Sequence, residues 1–108
     1  MYLKDVVRYE IVGGALHKSR TDYDCVSSNL YLGTDDYYAA MQTYLTCTHD
    51  LRYEFAREVE GGCCGLRGMR DSGYYVELQA INADDECYLI SRADYVYDDY
   101  MRDLEEAE

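Results

Sequence analysis

The sequence predicts an α+β domain of order β-β-α-β-β-α, a four-stranded, mainly antiparallel sheet with a long helix and a short C-terminal helix packed on one face. Three observations carry this reading. β-Branched and aromatic residues alternate in two separate runs, at residues 6–12 and 74–81. Between those runs, apolar residues recur every three or four positions from Tyr37 to Val59. A second helical stripe, Tyr97, Tyr100, Met101 and Leu104, closes the chain.

Taken in order, Val6–Val12 reads as a strand that ends in a turn at Gly13-Gly14. A second strand is expected within Cys25–Leu32, where Val26, Leu30 and Leu32 share a parity. Thr34 is placed to accept a backbone N–H as the helix N-cap, with Asp35 and Asp36 at the positive end of the dipole. Tyr37, Met41, Tyr44, Thr48, Leu51, Phe55 and Val59 then form one helical face. Arg57 is expected in the last turn and Gly61-Gly62 at the stop. Thr46–Asp50 contains poor helix formers, so a break there is an open alternative.

A glycine-rich loop is expected from Cys63 to Gly73. Tyr74–Ile81 follows as a strand with Tyr74, Val76, Leu78 and Ala80 on one face. Asn82-Ala83-Asp84-Asp85 is turn chemistry, and Glu86–Ser91 returns as the second arm of a hairpin. Ser91 or Asp94 is the expected cap of the terminal helix. The sheet face away from the helices would be open and would take the surplus tyrosines.

A length of 108 residues suits one domain spanning 1–108. There are 22 acidic and 10 basic residues, a net charge of −12, and 14 tyrosines with one phenylalanine and no tryptophan or proline. The charge is uneven. Residues 71–108 hold twelve acidic residues against two arginines, whereas Lys4, Arg8, Lys18 and Arg20 outnumber Asp5 and Glu10 in the first twenty. The five cysteines are odd in number, irregular in spacing and preceded by no apolar signal, so reduced thiols and a cytoplasmic location are expected. Cys25, Cys47 and Cys87 fall where an apolar side chain would serve.

The motifs of catalysis and cofactor binding are missing from the pattern. Cys47 and His49 are two apart, so a helix turns them about 200° from each other. Cys47, His49, Cys63 and Cys64 have zinc-ligand chemistry without zinc-ligand spacing. The glycine-rich loop follows a helix and precedes a strand, the reverse of a phosphate-binding loop. No catalytic residue, metal or cofactor is therefore assigned, and an enzyme is not expected. Direct nucleic-acid binding is disfavoured by the sign of the charge.

The same sign favours a basic partner. Carboxylates interleaved with tyrosines complement the basic, aromatic-lined grooves of nucleic-acid-binding proteins. Asp84, Asp85 and Glu86 at the hairpin tip, with Asp94, Tyr95, Asp98, Asp99 and Asp103 toward the C-terminus, are the candidate partner-binding residues. Asp94–Asp98 and Asp99–Asp103 would be i, i+4 pairs on the terminal helix, spaced like a run of phosphates. In this overall character, short, acidic, aromatic-rich and without catalytic motifs, the chain resembles phage-encoded inhibitors such as anti-CRISPR and anti-restriction proteins. The resemblance implies an inhibitor or DNA mimic that blocks a nucleic-acid-binding defence nuclease complex in the host cytosol. The alternative expectation is a homodimeric structural or regulatory adaptor that pairs through the open, tyrosine-rich sheet face.

Overall fold

The computed structural model describes residues 5–62 and 64–107. Its elements are β1 (Val6–Ser19), β2 (Asp22–Cys25), β3 (Asn29–Thr34), α1 (Tyr37–Gly61), α2 (Gly65–Gly68), β4 (Ser72–Asn82), β5 (Cys87–Val96) and α3 (Tyr97–Ala107). The fold is α+β, with a five-stranded antiparallel sheet, one long helix and a short C-terminal helix. Strand β1 is its spine. Along one side β1 pairs with β4, and β4 with the edge strand β5. On the other side, β3 pairs with residues 9–13 of β1 and β2 with residues 16–19. The sheet is thus four strands wide at either end, and the expected second strand is divided into two.

The division follows from β1 being twice its predicted length. Gly13 and Gly14 do not turn the chain; they are buried inside the strand. A Cβ on Gly13 would come within 2.5 Å of the Tyr75 carbonyl oxygen and 2.7 Å of the Tyr31 ring. One on Gly14 would stand 2.3 Å from the Ser27 carbonyl oxygen. The glycines are needed for close approach of neighbouring chain, the other use of glycine within a strand. The turn comes instead at Arg20-Thr21, between paired Ser19 and Asp22, where Arg20 adopts φ 62°.

Helix α1 runs unbroken through Thr46–Asp50 because Cys47 and Thr48 turn toward the core there. Its N-cap is Asp36, whose Oδ1 accepts the Tyr38 N–H at 2.9 Å. Thr34 acts one step earlier, accepting the Asp36 N–H at 3.1 Å. Gly62 is the C-cap, and its N–H reaches the Glu58 carbonyl at 2.8 Å. Arg57 lies before the last turn and pairs with Glu54 at 2.6 Å. Within the expected loop, Gly65–Gly68 forms one helical turn, α2, and Met69 is buried against it.

The hairpin β4–β5 forms as predicted, but β5 continues to Val96. Cross-strand pairs explain the extension. Tyr95 lies opposite Tyr74, Ala93 opposite Val76, and Arg92 opposite Glu77. Ser91 and Asp94 are therefore strand residues and cap nothing. The cap of α3 comes from inside it, where Asp99 Oδ2 accepts the Val96 N–H at 3.0 Å.

Tyr9, Ile11, Val76, Leu78 and Ala80 of the sheet meet Ala40, Tyr44 and Leu51 of α1 in the main core. Phe55, fully buried, is ringed by Tyr74, Tyr95 and Tyr100 at centroid distances of 5.4–6.3 Å, which fastens α3 beside α1. The reverse sheet face has a smaller cluster of Leu16, Tyr75 and Val96 with Tyr23, closed where Tyr75 Oη donates to the Ser27 carbonyl at 3.0 Å. By register, the rest of that face includes Arg8, Glu10, Glu77, Gln79 and Arg92 along with Val12, Leu30 and Leu89. Among the described residues Tyr23 and Tyr75 are its tyrosines, so the expected tyrosine-rich open face is not formed. The tyrosines line the helix–sheet layer and the outer side of α1 instead.

Candidate partner-binding surface

The hairpin tip is built by Asn82. Its Oδ1 accepts the N–H groups of Asp84 and Glu86 at 2.9 and 3.0 Å, and Asp85 takes φ 60° to close the turn. This leaves Asp84, Asp85 and Glu86 projecting into solvent. Glu86 is held by Tyr88 Oη at 3.1 Å and Asn82 Nδ2 at 3.2 Å, so its position is defined. Among the described residues Arg8 is the cation paired at this end, reaching Asp85 at 3.5 Å while it also bonds Glu10 at 3.2 Å. Its guanidinium pKa is raised, first by the hydrogen bond to Glu10. The Glu86 carboxylate also raises the Tyr88 phenol.

The second acidic group lies at the far end of β5. Asp94 is exposed on the reverse face, and Asp98 opens α3, where Lys18 Nζ meets it at 3.1 Å. Tyr23 stands beside Asp98, and burial followed by that negative charge pushes its phenol up to about 12. From Asp85 to Asp94 is nine residues of extended chain, or about 30 Å at 3.3 Å per residue. The two groups do not touch. They mark the ends of one exposed edge on a molecule measuring 47 × 27 × 25 Å.

The other predicted residues face inward. Asp103 Oδ2 accepts the Tyr95 hydroxyl at 2.5 Å and lies 3.4 Å from Arg52 of α1. Burial and that bond raise the Tyr95 phenol. Asp99 holds the α3 cap and pairs with Arg102 at 2.9 Å. The Asp94–Asp98 pair is not helical, since Asp94 belongs to β5. Asp99 and Asp103 do share α3, but both carboxylates are engaged in docking the helix. Five residues, Asp84, Asp85, Glu86, Asp94 and Asp98, remain turned outward.

Sequence reasoning missed a cleft of about 350 Å³ between α1 and the sheet, lined by Tyr31, Cys47, Asp50, Leu51, Glu54 and Tyr74 among others. No periodic signal reveals it, because Tyr31 sits at an irregularity in the β1–β3 register. Burial raises the Cys47 thiol and the Tyr31 phenol there. A thiol shifted upward is a poorer nucleophile at neutral pH, and His49 is exposed on α1 beside Asp50. Cys25 and Cys87 are exposed rather than packed as apolar residues, with Cys87 Sγ donating to Gln79 Oε1 at 3.1 Å. Cys63 lies outside the described residues, as do Lys4 and Glu108, while Cys64 is exposed at the start of α2. Among the described residues no three His, Cys, Asp or Glu side chains converge as metal ligands, and no helix is long and apolar enough to cross a membrane.

No protein-family model, curated protein or solved structure matches this chain.

Proposed function

We propose that this protein is a small, non-catalytic binding inhibitor whose acidic edge occupies the nucleic-acid site of a basic partner, in the manner of phage anti-CRISPR or anti-restriction proteins. The observation that supports it is the placement of Asp84, Asp85, Glu86, Asp94 and Asp98. They are exposed at both ends of the β5 edge, at the hairpin turn and around the start of α3, in the acidic third of a chain of net charge −12. About 30 Å of edge matches some eight or nine nucleotides of one DNA strand at 3.4 Å each. Carboxylates at the two ends of that length compete for the Lys and Arg side chains that hold phosphates. The host cytosol is the compartment in which such a partner is met.

Asp99, Asp103 and Tyr95 act in this reading as supports that hold α3 in place. The expected homodimeric adaptor would pair through an open tyrosine-rich sheet face; among the described residues that face has Tyr23 and Tyr75 as its tyrosines, with charged and apolar side chains between them. The test is displacement. Fluorescent duplex DNA bound to purified restriction and RNA-guided nuclease complexes is titrated with the protein while anisotropy is followed. Release of DNA at stoichiometric protein supports the proposal, and undiminished DNA binding across the panel sinks it.

A further inference from the structure

Helix α1 buries one face and leaves the other to solvent, but that outer face is not uniformly polar. Tyr38, Leu45 and Tyr53 are 79%, 56% and 63% exposed. With Gln42 and His49, also exposed, they fall within an arc of about 80° at 3.6 residues per turn. These five positions carry no carboxylate, in a chain whose surface is otherwise strongly acidic.

The spacing of this stripe is symmetric. A two-fold axis placed between Leu45 and Thr46, perpendicular to the helix, maps Tyr38 onto Tyr53 and Gln42 onto His49. Two antiparallel α1 helices packed on such an axis bring Leu45 against Leu45 of the second copy at the centre. At each end Tyr38 meets a tyrosine, Tyr53 of the other copy. Between them Gln42 faces His49, a pair able to share a hydrogen bond. This is the self-complementarity that an isologous interface requires. A helix partner of unrelated sequence would have no need of a palindrome.

We propose that the protein forms a two-fold symmetric dimer through the outer face of α1, with a second copy of the chain as the occupant. The uncharged stripe gives two strongly negative molecules a surface on which they can meet without opposing carboxylates. Its three apolar side chains offer roughly 400 Å² per copy, taking about 200 Å² for a whole tyrosine. With the flanking polar residues the two copies together bury on the order of 1,200 Å², the lower end for a specific interface. An interface of that size fits a weak, concentration-dependent dimer. Both β5 edges stay free in it, so the dimer stands independently of the proposed inhibition.

Sedimentation velocity over a concentration series to about 1 mM tests it, at low and at high salt. The expected result is a monomer–dimer equilibrium that tightens as salt rises, because salt screens repulsion between the acidic copies. Leu45→Asp and Leu45→Lys should each weaken association at least tenfold, since each places like charges on the axis. Mixing the two variants should restore it, because Asp then meets Lys. Leu45 is exposed, and unchanged far-ultraviolet circular dichroism checks that the variants fold. A monomer at every concentration, a dimer insensitive to both variants, or no recovery on mixing overturns the proposal.

Discussion

Individual residues divide sharply into those that hold the molecule together and those that face outward. Gly14 belongs to the first kind. Gly14→Ala would force a methyl group into the Ser27 carbonyl, and a loss of about 2–3 kcal/mol is expected from overpacking, read as a lower urea midpoint. Asp103 is another. Asp103→Asn removes the charge from its bond to Tyr95 and from the Arg52 pair, which should cost about 1.5–3 kcal/mol. The same contacts set an alkaline limit. The phenols of Tyr23 and Tyr95 are raised in the folded state by burial and by Asp98 or Asp103. A phenol that holds its proton more tightly when folded contributes stability that is complete below pH of about 10, its unfolded pKa. That contribution is lost as pH rises toward about 12 for Tyr23. Stability should therefore fall above pH of about 10, and Tyr23→Phe and Tyr95→Phe should each flatten that fall in urea unfolding at stepped pH.

At the level of elements, the legible parts were those in which local pattern and tertiary packing agree. The periodicity from Tyr37 to Phe55 specifies α1 because Tyr44, Leu51 and Phe55 all enter the core. The hairpin is legible because Asn82 supplies its turn chemistry within the chain that turns. The ends of β1 and β5 were not legible, for a physical reason. Gly13-Gly14 signals a turn locally, yet what requires glycine there is Ser27 and Tyr75, distant in sequence. Residues 94–104 support a helical reading from spacing alone, and the stripe from Tyr97 does form α3, but the pairing of Tyr95 with Tyr74 holds residues 94–96 in β5. The candidate site suffered the same way. Exposed Asp84, Asp85 and Glu86 follow from the turn, but the inward roles of Asp99 and Asp103 depend on Val96, Tyr95 and Arg52. Phe55→Ala empties the aromatic ring that fastens α3, and a loss of about 3–5 kcal/mol is expected in chemical denaturation. Asp99→Ala removes the α3 cap, with an expected loss of about 1 kcal/mol and faster amide exchange confined to the terminal helix.

For the whole molecule, charge and shape are arranged separately. Cations pair with the first acidic groups they reach, as Arg8 does with Glu10 and Asp85, and Lys18 with Asp98. The net charge left over is carried outward by the β4–β5 hairpin and the start of α3, while the stripe of Tyr38, Gln42, Leu45, His49 and Tyr53 on α1 carries no carboxylate, with Asp50 and Arg52 exposed beside it. The proposed inhibition uses the first surface and the proposed dimer the second, and their responses to salt are opposite in sign. The most direct measurement of the central claim compares wild type with an Asp84→Lys, Asp85→Lys, Glu86→Lys variant in displacing fluorescent DNA from the nuclease complex that responds. Those three side chains hold no element of the core, so the fold should survive their reversal. At least a tenfold loss of potency and a shallower dependence on salt are expected. Equal potency for the two proteins would contradict the proposed inhibition.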